Sequence, residues 1–386
     1  MLGCNPDSNP RYFSAPPARP DDPHYRLAGQ ANPPATQANL IIMQELTIRR
    51  PDDWHLHLRD GAELKAVLPF TAQRFARAMV MPNLDPPVTT TAAALAYRQR
   101  IVEALPAGAQ FTPLMTLYLT DATTPAEIDR AAASGIIAGC KLYPAGATTH
   151  SDSGVTDIRR LDATFERMSE RSLPLQVHGE VTAADVDIFD REARFIDDVL
   201  APLRQRCPQL RVVFEHVTTR TAVEYVCSAG PGIGATVTPQ HLLLNRNALL
   251  ERGIRPHLYC LPVLKREADR QALLAVIARG DRRFFLGTDS APHSRRAKEA
   301  ACGCAGIFSA HAGLELYAGI FEQAGMLARL EDFASGFGAD FYGLPRNQGA
   351  LTLQRREWTA PASYPFGAEE LVPFRAGAPI AWMLRP

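Results

Sequence analysis

From residue 44 onward, short apolar runs alternate with longer stretches in which apolar residues recur at helical spacing. Apolar runs of about four to eight residues bounded by turn residues are typical of buried strands, so the alternation predicts repeated strand–helix units. The strands are predicted at residues 54–59, 77–83, 111–119, 137–143, 173–179, 211–217, 234–238 and 284–288. The helices predicted between them include 90–105, 124–134, 158–170, 184–199 and 265–278.

The eight predicted strand–helix repeats indicate an α/β fold, and specifically a (β/α)8 barrel. A doubly wound open sheet is the alternative that the same pattern allows. In a barrel, the carboxyl ends of all strands meet at one face, which is where active sites of this fold lie. The polar residues at the ends of the predicted strands are therefore the first candidates for function.

Residues 1–43 differ from the rest of the chain because they are rich in Pro, Ala, Asn and Gln and show no hydrophobic periodicity. We expect a disordered N-terminal extension there, followed by one barrel domain over residues 44–386. Met43 directly precedes the first strand pattern, so it is a candidate for the true start of the chain. A transit peptide is the alternative, and the three aspartates of this segment argue against it.

The overall charge argues against two classes of partner. The chain has 41 basic and 41 acidic residues, a formal net charge of zero, so we expect neither nucleic acid nor a membrane surface as a partner. Its apolar runs are shorter than the ~20 residues of a membrane-spanning helix. The seven cysteines are dispersed without a Cys-x-x-Cys pair, which indicates reduced thiols and a cytoplasmic location.

Arginine strongly outnumbers lysine in this chain. Only four of the 41 basic residues are lysines, namely Lys65, Lys141, Lys265 and Lys298. Where arginine is preferred this heavily, a lysine inside an apolar run suggests chemistry that a guanidinium group cannot perform.

Two histidines, His55 and His57, alternate with leucines in the segment 53–59. Because side chains alternate between the two faces of a strand, both imidazoles are expected on one face, about 7 Å apart, where they can converge on one metal ion. Further polar residues at or just beyond the ends of later strands are Asn83, Lys141, His178, His216, Asp289 and His293. Each residue alone has a structural interpretation, as a core histidine, a snorkelling lysine or a turn residue. Their joint occurrence at one end of a barrel predicts an active site.

The types of these side chains indicate a metal-binding site. The four imidazoles at the strand ends, those of His55, His57, His178 and His216, and the carboxylate of Asp289 are too many ligands for one zinc ion with an open position, and too few for two ions. A ligand shared between two ions would complete a binuclear site. The amine of Lys141, once carboxylated by CO2, would be such a ligand, because a carbamate has two oxygens and a negative charge, and arginine cannot be converted in this way.

The polar segments together resemble the amidohydrolase superfamily, and most closely its single-domain bacterial dihydroorotases. The resemblance extends from residue 44 to about 345. The matching segments are 53–59 (DWHLHLR), 81–83 (MPN), 141–144 (KLYP), 177–180 (VHGE), 214–216 (FEH), 238–242 (TPQHL), 258–262 (LYCLP) and 287–293 (GTDSAPH).

The resemblance implies a metal centre of two zinc ions per subunit, bridged by carboxylated Lys141 and a hydroxide. The other ligands that it implies are His55, His57 and Asp289 for one ion and His178 and His216 for the second. Asp289 would also be the catalytic residue that transfers the proton.

The resemblance also implies a binding site for the substrate. Its α-carboxylate would be held by Arg59, Asn83 and His293. Thr148 and Thr149 would belong to a mobile loop, in which Gly146 and His150 depart from the family pattern. The backbone at Leu261 and Ala305 would contact the substrate's ring or its carboxylate.

The implied reaction is the reversible cyclisation of N-carbamoyl-L-aspartate to L-dihydroorotate in pyrimidine biosynthesis, catalysed by a homodimer. One alternative is another cyclic-amide hydrolase, such as a hydantoinase or allantoinase, and the pair Arg59 and Asn83 argues against it because those substrates lack a carboxylate at that end. A second alternative is an inactive barrel that serves as a scaffold, and the complete ligand set argues against that.

Overall fold

The structure, a computed structural model, describes residues 44–251, 253–301 and 303–385. After a first strand, β1 (Glu45–Arg49), the chain forms a sheet of eight parallel strands. These are β2 (Asp52–Leu56), β3 (Arg77–Val80), β4 (Thr112–Tyr118), β5 (Ile137–Leu142), β6 (Leu175–Val177), β7 (Val212–Phe214), β8 (Ile233–Val237) and β9 (Phe284–Leu286). Each is hydrogen-bonded to the next in chain order, so the predicted (β/α)8 barrel is confirmed. The predicted N-terminal extension lies outside the described residues.

All eight predicted strands are present, but the first is displaced. It begins at Asp52 and ends at Leu56, whereas the prediction extended it to Arg59. The main chain cannot continue as a strand through Arg59, because this residue has a φ of 61°, in the left-handed region. His57 therefore lies just beyond the strand that carries His55.

The barrel closes between β2 and the residues that follow β9. The N–H of Asp289 donates to the carbonyl of His55 at 2.9 Å. Beside this bond, the buried carboxylate of Asp53 accepts from the N–H of Thr288 at 2.9 Å and from its hydroxyl at 2.5 Å. The two segments that carry His55 and Asp289 are thus fixed edge to edge.

A second apolar cluster, centred on Trp54, fixes the backbone next to His55. The indole of Trp54 stacks on Tyr342 at a centroid distance of 4.6 Å and an interplanar angle of 8°. Phe285 packs edge-on against the same ring. Gly338 leaves room for the indole, because a Cβ there would lie 2.0 Å from Nε1 of Trp54. A larger residue at position 338 would displace the strand that carries His55.

Helices cover the outside of the barrel. They are α1 (Gly61–Arg74), α2 (Thr91–Glu103), α3 (Pro125–Ser134), α4 (Asp162–Glu170), α5 (Arg191–Phe195), α6 (Ala201–Arg206), α7 (Arg220–Ser228), α8 (Pro239–Leu243), α9 (Asn247–Leu250), α10 (Glu267–Ala278), α11 (Arg295–Glu299), α12 (Gly313–Gln323) and α13 (Phe337–Tyr342). Short 3-10 turns are at Ile158–Leu161, Pro256–Leu258, Ala310–Ala312 and Leu327–Arg329, and π-helical turns at Ile196–Leu200 and Asp332–Gly336. Thr124 caps α3, as its position before Pro125 predicts, by accepting from the N–H of Glu127.

The prediction of a helix at 184–199 is wrong in its first half. Residues 184–190 form turns, and the helical segment begins at Arg191. The side chain of Asp187 accepts from the N–H of Phe189 at 2.8 Å, and its carbonyl accepts from the N–H of Asp190. Aspartate competes with helix formation through local bonds of this kind.

Strands after residue 288 were not predicted. They are β10 (Ala350–Gln354), β11 (Trp358–Thr359), β12 (Tyr364–Phe366), β13 (Glu369–Leu371), β14 (Pro379–Ile380) and β15 (Met383–Leu384). Strand β10 pairs antiparallel with both β1 and β15, whereas β11 pairs with β14 and β12 with β13. Strands of two or three residues are too short to show an alternating pattern, so the sequence gives no signal for most of them.

The expectations about membrane spans and about cysteines can be compared with the described part of the chain. No helix there is long and apolar enough to cross a membrane. The cysteines described as free thiols are Cys140, Cys207, Cys227, Cys260 and Cys304.

Candidate metal centre and active site

Three predicted metal ligands form a compact triangle at the carboxyl end of the barrel. Nε2 of His55 lies 3.3 Å from Oδ1 of Asp289, Nε2 of His57 lies 3.2 Å from the same oxygen, and the two nitrogens are 3.3 Å apart. Ligand atoms bound tetrahedrally to zinc at 2.0–2.1 Å are about 3.3 Å from one another. The triangle therefore fits one face of a zinc coordination tetrahedron.

Backbone conformation helps to aim the side chains of this site. Arg59, His216 and Asp289 have φ values of 61°, 41° and 44°. Residues other than glycine rarely adopt this left-handed region, and where they do so they often belong to functional sites. Arg59 shares the cavity with His57, and it does so through this turn and not through strand alternation.

Two further histidines lie beside this triangle. The rings of His178 and His216 are 4.8 Å apart between centroids, and the ring of His216 is 5.1 Å from that of His55. Nδ1 of His216 has no hydrogen-bond partner within the described chain, although the residue is buried. Buried polar atoms are nearly always paired, so an orphaned ring nitrogen fits a site built for a ligand.

Three of the histidines are oriented by a hydrogen bond. In each of them, the ring nitrogen that points away from the centre of the site is bonded to the side-chain oxygen of a neighbouring residue. The pairs are Nδ1 of His55 with Glu215, Nδ1 of His57 with Oδ1 of Asn83 at 2.8 Å, and Nε2 of His178 with Oε2 of Glu180 at 2.9 Å. Oxygen acceptors placed in this way are typical of metal-binding histidines, because they fix the tautomer and the direction of the free nitrogen.

Burial keeps most of the imidazoles neutral. It lowers the pKa of His57 to about 4 and lowers the pKa values of His178 and His216. Burial is the largest single influence on His55 and opposes its protonation, but the carboxylates of Glu215 and Asp289 together outweigh it and raise the pKa of this residue. Metals bind neutral imidazole, so three of the four rings are ready to bind a metal at neutral pH.

The carboxyl group of Asp289 is held in its ionised form. Its burial would raise its pKa, but the hydrogen bonds and charges of the neighbouring histidines lower that pKa well below the usual range. The carboxylate is therefore available both as a metal ligand and as a proton acceptor.

Lys141 lies fully buried next to these groups. Its Nζ has no hydrogen-bond partner within the described chain and lies 5.0 Å from the centroid of the Tyr143 ring. Burial lowers the pKa of Lys141 to about 8, although the charges of Glu215 and Asp289 oppose this shift. A buried, unpaired amine with a lowered pKa is suited to carbamate formation, because only the neutral amine reacts with CO2.

A cationic edge borders the metal ligands. The guanidinium of Arg59, which is 9% exposed, donates from Nε to the carbonyl of Pro292 at 2.8 Å. Its Nη2 lies 3.0 Å from Nε2 of His293, and that nitrogen lies 3.0 Å from the carbonyl oxygen of Ala305. No carboxylate forms an ion pair with Arg59 in the described part of the chain. Burial, followed by the charge of Arg59, lowers the pKa of His293, so its imidazole is neutral.

The loop that contains Thr148 and Thr149 covers this cavity. The hydroxyl oxygen of Thr149 accepts from the N–H of Ala305 at 3.2 Å, and its carbonyl accepts from Nδ2 of Asn83 at 3.3 Å. The enclosed volume is about 20 Å³, which holds about one water molecule. A six-membered ring therefore needs more room than this arrangement of the lining residues leaves.

Of the thirteen residues predicted for the site, twelve line this one cavity, and the exception is Lys141, which is fully buried next to the lining residue Tyr143. The lining residues among them are His55, His57, Arg59, Asn83, Thr148, Thr149, His178, His216, Leu261, Asp289, His293 and Ala305. The lining residues that were not predicted are Tyr143, Ala291 and Gly306. All three stand within two positions of a predicted residue, which is the signal that could have identified them.

A larger groove of about 920 Å³ lies elsewhere on the barrel. Arg50, His311 and Trp358 are among the residues that line it. It contains one histidine and one acidic residue, Glu315, whose carboxylate is paired with Arg74. Its composition therefore offers no set of metal ligands, and the smaller cavity is the candidate active site.

The chain is similar to known proteins over nearly all of the described region. The model of the amidohydrolase family matches residues 52–356. The dihydroorotase of Alkalilimnicola ehrlichii is 64% identical over 340 residues, which are 88% of this chain and 99% of that protein.

Two solved structures give the same result. The crystal structure of dihydroorotase from Campylobacter jejuni has a TM-score of 0.82 and 35% identity, covering 89% of this chain and 98% of that one. Dihydroorotase from Saccharomyces cerevisiae in complex with 5-fluoroorotic acid has the same TM-score and coverage at 31% identity. The chain belongs to the amidohydrolase family and, within it, to the dihydroorotases.

Proposed function

We propose that this chain catalyses the reversible cyclisation of N-carbamoyl-L-aspartate to L-dihydroorotate, with loss of water, in the synthesis of UMP. The observation that carries this proposal is the position of Arg59. A buried guanidinium that forms no ion pair with an acidic side chain of the described residues shares one small cavity with the metal-ligand triangle of His55, His57 and Asp289. A substrate that brings its own carboxylate would pair this cation and present its amide carbonyl beside the triangle.

The metal centre in this proposal contains two zinc ions per subunit. His55, His57 and Asp289 would bind one ion, His178 and His216 the other, and carboxylated Lys141 would bridge both together with a hydroxide. Two ions bound there would polarise the amide carbonyl and acidify a water molecule. The fit of the 3.2–3.3 Å triangle and the unpaired nitrogens of Lys141 and His216 support this assignment.

Asp289 is the residue that would transfer the proton. Its ionised carboxylate can accept the proton of the attacking water and donate it to the ring nitrogen that departs, and the reverse transfer serves cyclisation. The histidines on either side fix the position of this carboxylate, with Oδ1 within 3.3 Å of both imidazoles.

The substrate would be held by three kinds of contact. Arg59, Asn83 and His293 would bind its α-carboxylate, for which a guanidinium offers parallel N–H donors. Thr148 and Thr149 would close over it. The backbone at Leu261 and Ala305 would contact its ring or carboxylate, and both residues line the cavity.

Hydantoinases and allantoinases are the alternative within the superfamily. Their rings lack the carboxylate that Arg59 would bind, so this residue would be left buried beside metal ions without a counter-charge. A homodimer in the cytoplasm is also part of the proposal, and it rests on the family resemblance and on the dispersed, free cysteines.

A metal-content measurement coupled to an assay of dihydroorotate hydrolysis tests the proposal. We expect two zinc ions per chain and hydrolysis of dihydroorotate. The mass of the holoenzyme should exceed that of the unmodified chain by 44 Da, an increment of about one CO2, because the carbamate is stable only in the holoenzyme. One zinc ion per chain in a fully active enzyme with a free amine at Lys141 would contradict the binuclear centre. Metal-loaded enzyme that leaves dihydroorotate intact would contradict the activity.

A further inference from the structure

Lys298, one of the four lysines, is buried outside the metal centre and is not used by the proposed reaction. Its side chain is 4% exposed. Its Nζ donates to three backbone carbonyls, those of Tyr259 at 2.6 Å, Cys304 at 2.8 Å and Gly306 at 2.8 Å. One ammonium group thus joins two segments that are far apart in the sequence.

This arrangement suits lysine and not arginine. An ammonium has three N–H donors in a tetrahedral arrangement, so it can serve three carbonyls around one point, whereas a guanidinium presents its donors in one plane. No carboxylate pairs with Lys298 in the described ranges, so the three carbonyls stabilise its charge, together with the ring of Tyr259, whose centroid lies 5.7 Å from Nζ. In a chain that uses arginine for nearly all of its basic positions, this geometry explains the choice of lysine.

The two segments that Lys298 joins carry the backbone groups next to the substrate site. Leu261 is two residues beyond Tyr259, and Ala305 lies between Cys304 and Gly306. Leu261 and Ala305 both line the cavity. The segments also contact each other directly, because the N–H of Gly306 donates to the carbonyl of Tyr259 at 3.0 Å.

The 304–306 segment also contacts His293, which belongs to the cationic edge, and the loop that contains Thr149. The carbonyl of Ala305 lies 3.0 Å from Nε2 of His293, and its N–H donates to the hydroxyl of Thr149. A shift of Ala305 would therefore move the partner of His293 and the anchor of Thr149 together. A misplacement of this kind costs binding because the groups no longer meet the substrate in one geometry.

We propose that Lys298 is a positioning residue, which holds the 259–261 and 304–306 segments in register so that the backbone at Leu261 and Ala305 meets the substrate. This proposal rests on the proposed function for the identity of the substrate. Lys298 is not among the residues that line the cavity, and its hydrogen bonds within the described chain go to the three carbonyls, so it would act through the two segments that it joins.

Three variants of the metal-loaded enzyme test this role. Lys298→Arg keeps the charge and most of the volume, Lys298→Ala removes the group, and Lys65→Met is the control because Lys65 is exposed on α1. The measurements are kcat and KM for dihydroorotate, zinc content, and amide hydrogen exchange across residues 259–261 and 304–306. The Ala variant is also assayed with added propylammonium, which replaces the missing part of the side chain, and with tetramethylammonium, which has no N–H donor.

We expect both Lys298 variants to raise KM by about tenfold or more at unchanged zinc content, because each lost charged hydrogen bond weakens the connection between the 259–261 and 304–306 segments. Hydrogen exchange should accelerate in the two segments only, and propylammonium, but not tetramethylammonium, should lower KM again. Lys65→Met should match the wild type in every measurement. If Lys298→Ala does not fold, the KM and the exchange pattern of Lys298→Arg decide the question.

A wild-type KM in Lys298→Arg would overturn the proposal, and so would a Lys298→Ala enzyme that is less stable but has an unchanged KM. A wild-type enzyme that does not hydrolyse dihydroorotate would contradict the proposed function instead. In that case the hydrogen exchange of the two segments still tests whether Lys298 holds them.

Discussion

The side-chain oxygen of Asn83 lies 2.8 Å from Nδ1 of His57. This contact requires the proton on Nδ1, so Nε2 is left free to face Asp289. The amide nitrogen of Asn83 donates to the carbonyl of Thr149 at 3.3 Å. One amide thus fixes the tautomer of a predicted metal ligand and holds the loop over the cavity, in addition to the substrate contact that the family resemblance implies.

Two substitutions of Asn83 should separate these roles. Asn83→Asp retains an oxygen acceptor for His57, so we expect zinc affinity near that of the wild type. Its KM for dihydroorotate should rise at least tenfold, because the new carboxylate repels the carboxylate of the substrate. Asn83→Ala removes both contacts, and we expect zinc affinity to fall roughly 10- to 100-fold as well. Competition with a chelator measures the affinity. Wild-type zinc affinity in Asn83→Ala would show that the amide does not orient His57.

The pKa of Lys141 predicts how the metal centre assembles with pH. Because burial lowers this pKa to about 8, about 1% of the amine is neutral at pH 6 and about half at pH 8. The neutral amine is the form that reacts with CO2, so carbamate formation should accelerate about tenfold per pH unit between pH 6 and 7 and level off above pH 8.

Zinc uptake by metal-free enzyme at fixed dissolved CO2 measures this dependence. Burial lowers the pKa values of His57, His178 and His216 and so favours their neutral, metal-binding forms, whereas protonation of His55, whose pKa is raised, also opposes uptake at low pH. Lys141→Ala is the control for that contribution. It should bind zinc poorly, show little CO2 dependence and be nearly inactive, with partial rescue by short carboxylic acids. Uptake by the wild type that is independent of CO2 would contradict the carbamate.

Asp53 supports the closure of the barrel, so its loss should cost stability. Asp53→Ala would leave the buried N–H of Thr288 without an acceptor, and its hydroxyl with only the longer contact to the carbonyl of His55 at 3.4 Å. It would also remove the oxygen that lies 3.2 Å from the N–H of His55. We expect a loss of about 3 kcal/mol of unfolding free energy. Urea denaturation of metal-free protein measures this, because bound metal adds stability of its own. Asp185→Ala, at an exposed position, is the control and should change stability by less than about 0.5 kcal/mol. Equal stability of the two variants would show that the main chain alone closes the barrel.

The barrel and the grouping of the site residues could both be predicted from the sequence, because both follow from the repeated strand–helix pattern. A pattern of strands places every strand end at one face, so residues as distant as His55 and Asp289 can be assigned to one cavity. What strand alternation could not predict is the left-handed turn at Arg59, since it depends on local main-chain geometry.

Other features of the site depend on contacts that no local pattern reveals. Glu215 orients His55 although 160 residues separate them, and it stands in the sequence only as an acidic residue before His216. The contact between Asp53 and Thr288 spans 235 residues. The strands after residue 288 are short, and β1 finds its partner β10 about 300 residues away, so that pairing could not be predicted from spacing.

Arg59 should decide between a dihydroorotase and a hydrolase of uncharged rings. Arg59→Met keeps much of the side-chain volume but removes the fork of donors, so zinc content should stay at the wild-type value. Losing one bidentate charged contact costs about 2–5 kcal/mol, so we expect kcat/KM for dihydroorotate to fall roughly 30- to 4000-fold. Hydantoin and dihydrouracil lack the carboxylate, so they should be poor substrates of the wild type and no worse for the variant.

Steady-state kinetics on the three rings measures these effects, with Arg356→Met as a control at an exposed position. The comparison of substrates isolates the carboxylate contact, because a general disturbance of the metal centre would lower activity on all three rings equally. Two results are incompatible with the assignment of Arg59: near-normal dihydroorotate kinetics in Arg59→Met, or wild-type hydrolysis of hydantoin as fast as that of dihydroorotate. Either one would mean that the guanidinium of Arg59 serves to hold Pro292 and His293 in place, since these are its hydrogen-bond partners in the described part of the chain.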